Sequence, residues 1–272
     1  MAKSPRSSRM KPAMRAHYIN SHNLNMKRLE RQAHKLILRT YSKQRPRIIA
    51  YIHSGYDPAQ LVTHLPKFYK DSIKPLWKST LRVIWSNAAE EADSFISDWI
   101  YPNAVKKDWT DAATEWMDDW GAGRIDSITN SDRSRMNTIL SDGAARGQTP
   151  QEIASNLTDN FDDMTTGRAM NISRTETNGA YNYSSLQTAT EVAGNWTKEW
   201  CTTSENPRPA HEDADGQEVP IDEPFDVDGE ELMYPSDPSG SEGNVINCQC
   251  TMTYNSPSGG TEGAGAAPEG EE

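Results

Sequence analysis

From Ile73 to Trp120 the large apolar side chains of this chain recur three and four residues apart. Ile73, Leu76, Trp77, Leu81, Ile84, Trp85, Ala88, Ala92, Phe95 and Trp99 form one series, and Trp109, Ala113, Trp116 and Trp120 continue it. This period fits 3.6 residues per turn and excludes the strict alternation of a half-buried strand. The spacing predicts a helix over about 69–99 and a second through the later tryptophans. Six of the eight tryptophans fall between residues 77 and 120. Aromatic stripes of this kind make a helical core or a docking face rather than a cofactor box.

Other helices announce themselves by their ends. Asp57-Pro58 is an N-cap followed by proline at the first helical position. After the break at Gly121-Ala122-Gly123 a helix is expected over about 124–145. In GQTPQE, Thr149 caps, Pro150 starts, and Glu152 stands three after the cap to close a capping box. A last helix is expected over roughly 164–192, stopping at Gly194. Nearer the N-terminus, Met26 to Lys43 carries an apolar face of Leu29, Ala33, Leu36 and Ile37. Lys27, Arg31, Lys35, Arg39 and Lys43 recur every fourth position beside it. That basic stripe is either the wet face of an amphipathic helix, a protein contact, or a track for phosphates.

Beyond residue 195 the character changes. Residues 196–254 are rich in Pro, Gly, Asp and Glu, with short strand-like runs in WTKEWC, ELMY and CQCTMTY. Asp215-Gly216 and Asp228-Gly229 are turn dipeptides. Only 35% of the chain is hydrophobic and its mean hydropathy is −0.81, low for a single globule of 272 residues. The expected architecture is α+β: a mainly helical N-terminal region, then a small α+β C-terminal module with long loops, and disordered ends. In boundaries this is a basic arm at 1–20, a helical region at 21–146, a C-terminal domain at 147–255 and a flexible acidic tail at 256–272.

Charge is divided between the two ends. Residues 1–50 hold 13 Lys/Arg against Glu30 alone, and residues 201–272 hold 17 acids against Arg208 alone. The basic end is either a solvated tail or a contact for nucleic acid or an acidic protein surface. No stretch approaches the roughly 20 apolar residues of a membrane span. The basic start lacks the apolar core of a secretory signal. Three cysteines, Cys201, Cys248 and Cys250, make no disulfide framework and suit a reducing cytoplasm.

From Gly147 to Tyr254 an ordered series of motifs resembles the phage minor head protein family named after the F protein of phage Mu. The series runs GQTPQEIASNL, then SRTETNGAYN, KEW at Lys198–Trp200, RPAH with Arg208 and His211, and DADGQEV with Asp215-Gly216. It ends with Phe225, MYPSDP at 233–238, and INCQC at 246–250. The motif residues are Arg174, Glu176, Trp200, Arg208, His211, Asp215, Gly216, Asn247, Cys248 and Cys250. Two departures each remove positive charge: SENPRPAH keeps one arginine where the family has two, and Gln249 replaces the arginine of Asn-Cys-Arg-Cys. The resemblance implies a low-copy virion protein, assembled in the host cytoplasm and located near the portal vertex. Its implied partners are the portal, the capsid interior, a scaffold, and packaged DNA that it accompanies.

The chemistry read from the residues stays open between several uses. Cys248 and Cys250 on one strand would face the same way, and with His211 and Cys201 folded over them would make a tetrahedral zinc set. Paired cysteines in structural zinc sites are more often two to four residues apart, so inert small hydrophobes and a redox pair stand beside zinc. The cofactor is thus none or zinc. His211 and Arg208, with Arg174 and Glu176, have the chemistry for phosphodiester cleavage, although the crowded acids would repel nucleic acid. The expectation is no enzyme, with that cleavage as the alternative: His211 orders a loop, and Arg174 and Glu176 fasten the helix to the C-terminal module. The acids from Glu212 to Glu231 lack EF-hand spacing and read as a solvated loop.

Overall fold

The structure is a computed structural model describing residues 10–100, 120–192 and 196–256. It is mainly helical with a small β-containing C-terminal part, the α+β class the sequence implies. Four long helices and a short one carry most of the chain: α1 Pro12–Ile52, α2 Pro58–Phe68, α3 Lys74–Ile100, α4 Ala122–Ala145 and α5 Pro150–Val192. A π-helical turn, Tyr69–Ile73, joins α2 to α3. Strands β1 Thr197–Cys201, β2 Glu218–Pro220, β3 Phe225–Val227, β4 Glu230–Leu232 and β5 Thr251–Asn255 follow. Two single-turn helices, α6 Pro209–Asp213 and α7 Glu242–Val245, lie between them.

The chain divides into two compact units whose segments alternate along the sequence. One contains residues 31–84 and 113–173, the other 1–30, 85–112 and 174–272.

In the first unit the predicted stripe is core: Trp77, Leu81 and Ile84 are buried with Ile37, Tyr41, Leu61, Leu65 and Ile73. Each such side chain contributes about 1.5–3 kcal/mol by leaving water. Trp77 Nε1 donates to Gln44 Oε1 at 3.0 Å, and Arg168 pairs with Asp132 at 2.9 Å, so this core's polar atoms are partly answered from within. Both helix ends read at 57–60 and 147–152 form as expected. Gln60 N donates to Asp57 Oδ1 and Gln60 Oε1 accepts from Asp57 N, the reciprocal pair of a capping box. Gly147, at φ +67, ends α4, with Gln148 N reaching back to Gly143 O. Thr149 then caps α5, exchanging bonds with Glu152.

In the second unit β1 is the centre of a three-stranded antiparallel sheet ordered β2-β1-β5, and β3-β4 is a hairpin turned by Asp228-Gly229. Trp200, Phe225, Val227, Leu232, Met252 and Tyr254 are its core. The start of α1 belongs to this unit: Tyr18 is buried against Phe95 with ring centroids 5.0 Å apart, and Arg15 pairs with Glu199 at 2.8 Å.

Several expectations need correction. Residues 12–20 are helical, not part of a disordered arm, because Tyr18 and His22 extend the buried face of Met26 and Leu29. The helix expected over 26–43 accordingly runs from Pro12 to Ile52. The helix expected to begin near 164 is the continuation of α5, since exposed Gly167 does not interrupt it. Trp120 is 47% exposed and serves no core. Residues 1–9 of the basic arm, Trp109, Trp116, the Gly194 stop and tail residues 257–272 lie outside the described residues.

Candidate functional site

One face of α5 builds the platform. Thr175, Asn178 and Asn182 are three and four residues apart, so their side chains share that face. Asn178 Nδ2 donates to the carbonyl of Cys250 at 3.2 Å and to Ser236 Oγ at 3.0 Å. Asn182 Nδ2 donates to the same carbonyl at 3.0 Å and to Pro235 O at 3.3 Å. Asn247 N donates to Thr175 Oγ1 at 2.8 Å, and Arg174 reaches Asn247 Oδ1 at 3.4 Å. Gly179 lets the MYPSDP segment approach: a Cβ there would lie 3.3 Å from Ser236 O.

Cys248 and Cys250 are therefore not strand residues. They lie in the bend before β5, where Asn247 takes a left-handed φ of +60. Asparagine tolerates that conformation better than most residues.

Opposite the bend, RPAH becomes α6. Arg208 is its extended N-cap, Pro209 its first residue, and the Arg208 guanidinium donates to Ile246 O. Thr202 Oγ1 donates to His211 O at 2.8 Å, and Trp200 stands edge-on to the imidazole at 5.6 Å. Gly216, at φ +77, turns the chain so that its N–H meets Trp200 O. Asp215 accepts from Thr202 N at 2.7 Å.

These supports bring His211, Cys248 and Cys250 together, each no more than 3% exposed. His211 Nδ1 lies 3.4 Å from Cys250 Sγ and 3.7 Å from Cys248 Sγ. The hydrogen bond from Cys250, and then His211, holds Cys248 well below the usual thiol range against burial. That same bond, then burial and the Cys248 charge, pushes Cys250 up.

Cys201 is not part of this group. Its sulfur contacts Thr253 Oγ1 at 3.7 Å and Glu199 O at 3.6 Å, and burial pushes its pKa up to about 11. Among the described residues, the trio is the one group of three or more His, Cys, Asp or Glu side chains gathered closely enough to hold a metal.

The groups named for phosphodiester chemistry have separate partners. Glu176 is buried and accepts from Trp85 Nε1 at 3.2 Å, while Arg174 pairs with Glu30 at 3.5 Å. Arg174 and Glu30 also line a cleft of about 450 Å³ with His22, Lys27, Asn178 and Gln249. Lys27, Arg31, Lys35, Arg39 and Lys43 are all exposed along α1. Sequence reading missed Thr175, Asn178, Asn182 and Thr202 as supports of the site. The i,i+4 asparagines flanking a mid-helix glycine were the available signal.

Residues 134–253 match the family described as "Phage Mu protein F like protein", which bears out the resemblance carried by the motifs. This stretch holds both the α5 platform and the thiol–imidazole group, and the family supports a phage head-related role. Among curated proteins, one of Bacillus subtilis (strain 168) named "Uncharacterized protein YqbB" is 24% identical over 193 residues. The alignment covers 68% of this chain and 62% of that protein, so the chain spans less than two thirds of its relative's length. No solved structure matches. Among the described residues, no helix is long and apolar enough to cross a membrane.

Proposed function

We propose that this chain is a minor capsid protein of a phage head, held near the portal vertex and acting in head morphogenesis by binding rather than by turnover. The family match over 134–253 carries the reading. The burial of His211 between two thiols supports it further, because an acid–base catalyst needs access to a substrate. The portal and capsid interior are the partners, with a scaffold during assembly. The exposed cations of α1 suit an acidic protein surface or packaged DNA, which the chain accompanies into the virion and on ejection. It is made late, in the host cytoplasm.

Quantitative mass spectrometry of purified procapsids and virions tests this. The expected result is a few copies per particle, retained after nuclease and salt washing. Absence from both particles overturns it.

A further inference from the structure

We propose that His211, Cys248 and Cys250 bind one zinc ion, which staples the bend before β5 to α6. Two of the three ligand–ligand separations match those of a tetrahedral shell. Zinc–sulfur bonds of about 2.3 Å and zinc–nitrogen bonds of about 2.05 Å at tetrahedral angles place a ligand nitrogen about 3.6 Å from each sulfur. His211 Nδ1 lies 3.4 and 3.7 Å from the two sulfurs. All three ligand atoms lie within 4.8 Å of one another.

Hydrogen bonding alone explains this arrangement poorly. An imidazole nitrogen has one lone pair, so it accepts one thiol proton, and the other sulfur has only the Thr202 hydroxyl at 3.9 Å beside its cysteine neighbour. A buried ring whose polar neighbours are two sulfurs is the surrounding a soft-to-borderline cation selects, and thiolate with imidazole is a zinc donor set. Binding takes both sulfurs as thiolates and the ring nitrogen Nδ1 without its proton.

The surrounding fold explains what the ion does. The module from 196 to 256 has short strands and long loops, and such a body gains from a cross-link. Asn178 and Asn182 hold the bend from one side through Cys250 O, and the metal holds it from the other through both sulfurs. Arg208 and Thr202 fix α6 so that His211 reaches the bend.

The test uses the full chain without a polyhistidine tag, purified under reducing conditions without chelator. Elemental analysis is expected to show about one zinc per chain. Cys248→Ser and His211→Ala should lose it, while Cys201→Ser should keep it. Because the first two variants can also unfold, wild-type protein is separately stripped and given Co²⁺. A thiolate-to-cobalt charge-transfer band with tetrahedral visible bands is expected. Folded wild-type protein that carries no zinc and gives no such spectrum overturns the proposal. So does retention of zinc in Cys248→Ser, or a Cys248–Cys250 disulfide that persists in the reduced preparation.

Discussion

Asn178 and Asn182, one turn apart on α5, both donate their side-chain amides to the single carbonyl of Cys250, at 3.2 and 3.0 Å. The SRTETNGAYN motif thus works as a clamp on the backbone between the thiols and β5. Either amide alone still satisfies the carbonyl. Asn178→Ala and Asn182→Ala should each cost roughly 1 kcal/mol in urea unfolding. The double variant leaves a buried carbonyl unanswered and should cost more than the sum. Strict additivity would show that the shared acceptor does not matter.

Two glycines on the same helix make an opposed pair. Gly167 faces open space, so Gly167→Ala should stabilise by up to about 1 kcal/mol through helix propensity. At Gly179 the added Cβ meets the Ser236 carbonyl at 3.3 Å, and Ser236 is itself buried at φ +65. Gly179→Ala should therefore lose that benefit and destabilise the protein in thermal unfolding. Equal gains at both positions would contradict the close approach.

Acid should weaken the fold through His22. This ring is fully buried, edge-on to Tyr181 at 4.9 Å, and burial lowers its pKa from 6.5 to about 3. The unfolded chain binds a proton below pH 6.5 that the folded chain refuses until near pH 3. Stability is therefore complete above pH 6.5 and falls as pH drops towards 3, by up to about 1.4 kcal/mol per pH unit. Urea unfolding from pH 7 to 4 should show this slope, and His22→Gln should flatten it. An unchanged slope in that variant would remove His22 as the cause.

What was readable in the sequence was local. The tryptophan stripe to Trp99, the N-cap at Asp57, the capping box at Thr149, and the Asp228-Gly229 turn each depend on residues within a few positions of one another. What was missed depends on distant partners. The helix over 12–20 looked like a polar arm because its anchors are Asn255 for Met10 N and Glu199 for Arg15, 245 and 184 residues away. The cysteines looked like strand residues because alternation cannot reveal the left-handed turn at Asn247, which depends on Thr175 of α5. His211 was named with Cys248 and Cys250, which the register of α6 against the bend brings together, whereas Cys201, named with them, lies against Thr253 instead.

The other unit offers a test of buried charge. Asp132 is almost fully buried, and burial raises its pKa although Arg168 opposes the shift from 2.9 Å. Gln44 donates to the second oxygen at 3.4 Å, and Arg168 also donates to Ile128 O at 3.0 Å. Removing the guanidinium leaves a carboxylate that must either stay charged without its partner or take up a proton. Arg168→Met should cost roughly 3 kcal/mol at pH 7 in urea unfolding. Because Asp132 can escape the cost by protonating, the loss should shrink as pH falls towards 5. Adding Asp132→Leu should recover much of it, since an apolar pair of similar volume has no charge to desolvate. A single variant as stable as wild type, or a double variant no better than the single, would mean that solvent rather than Arg168 satisfies the acid.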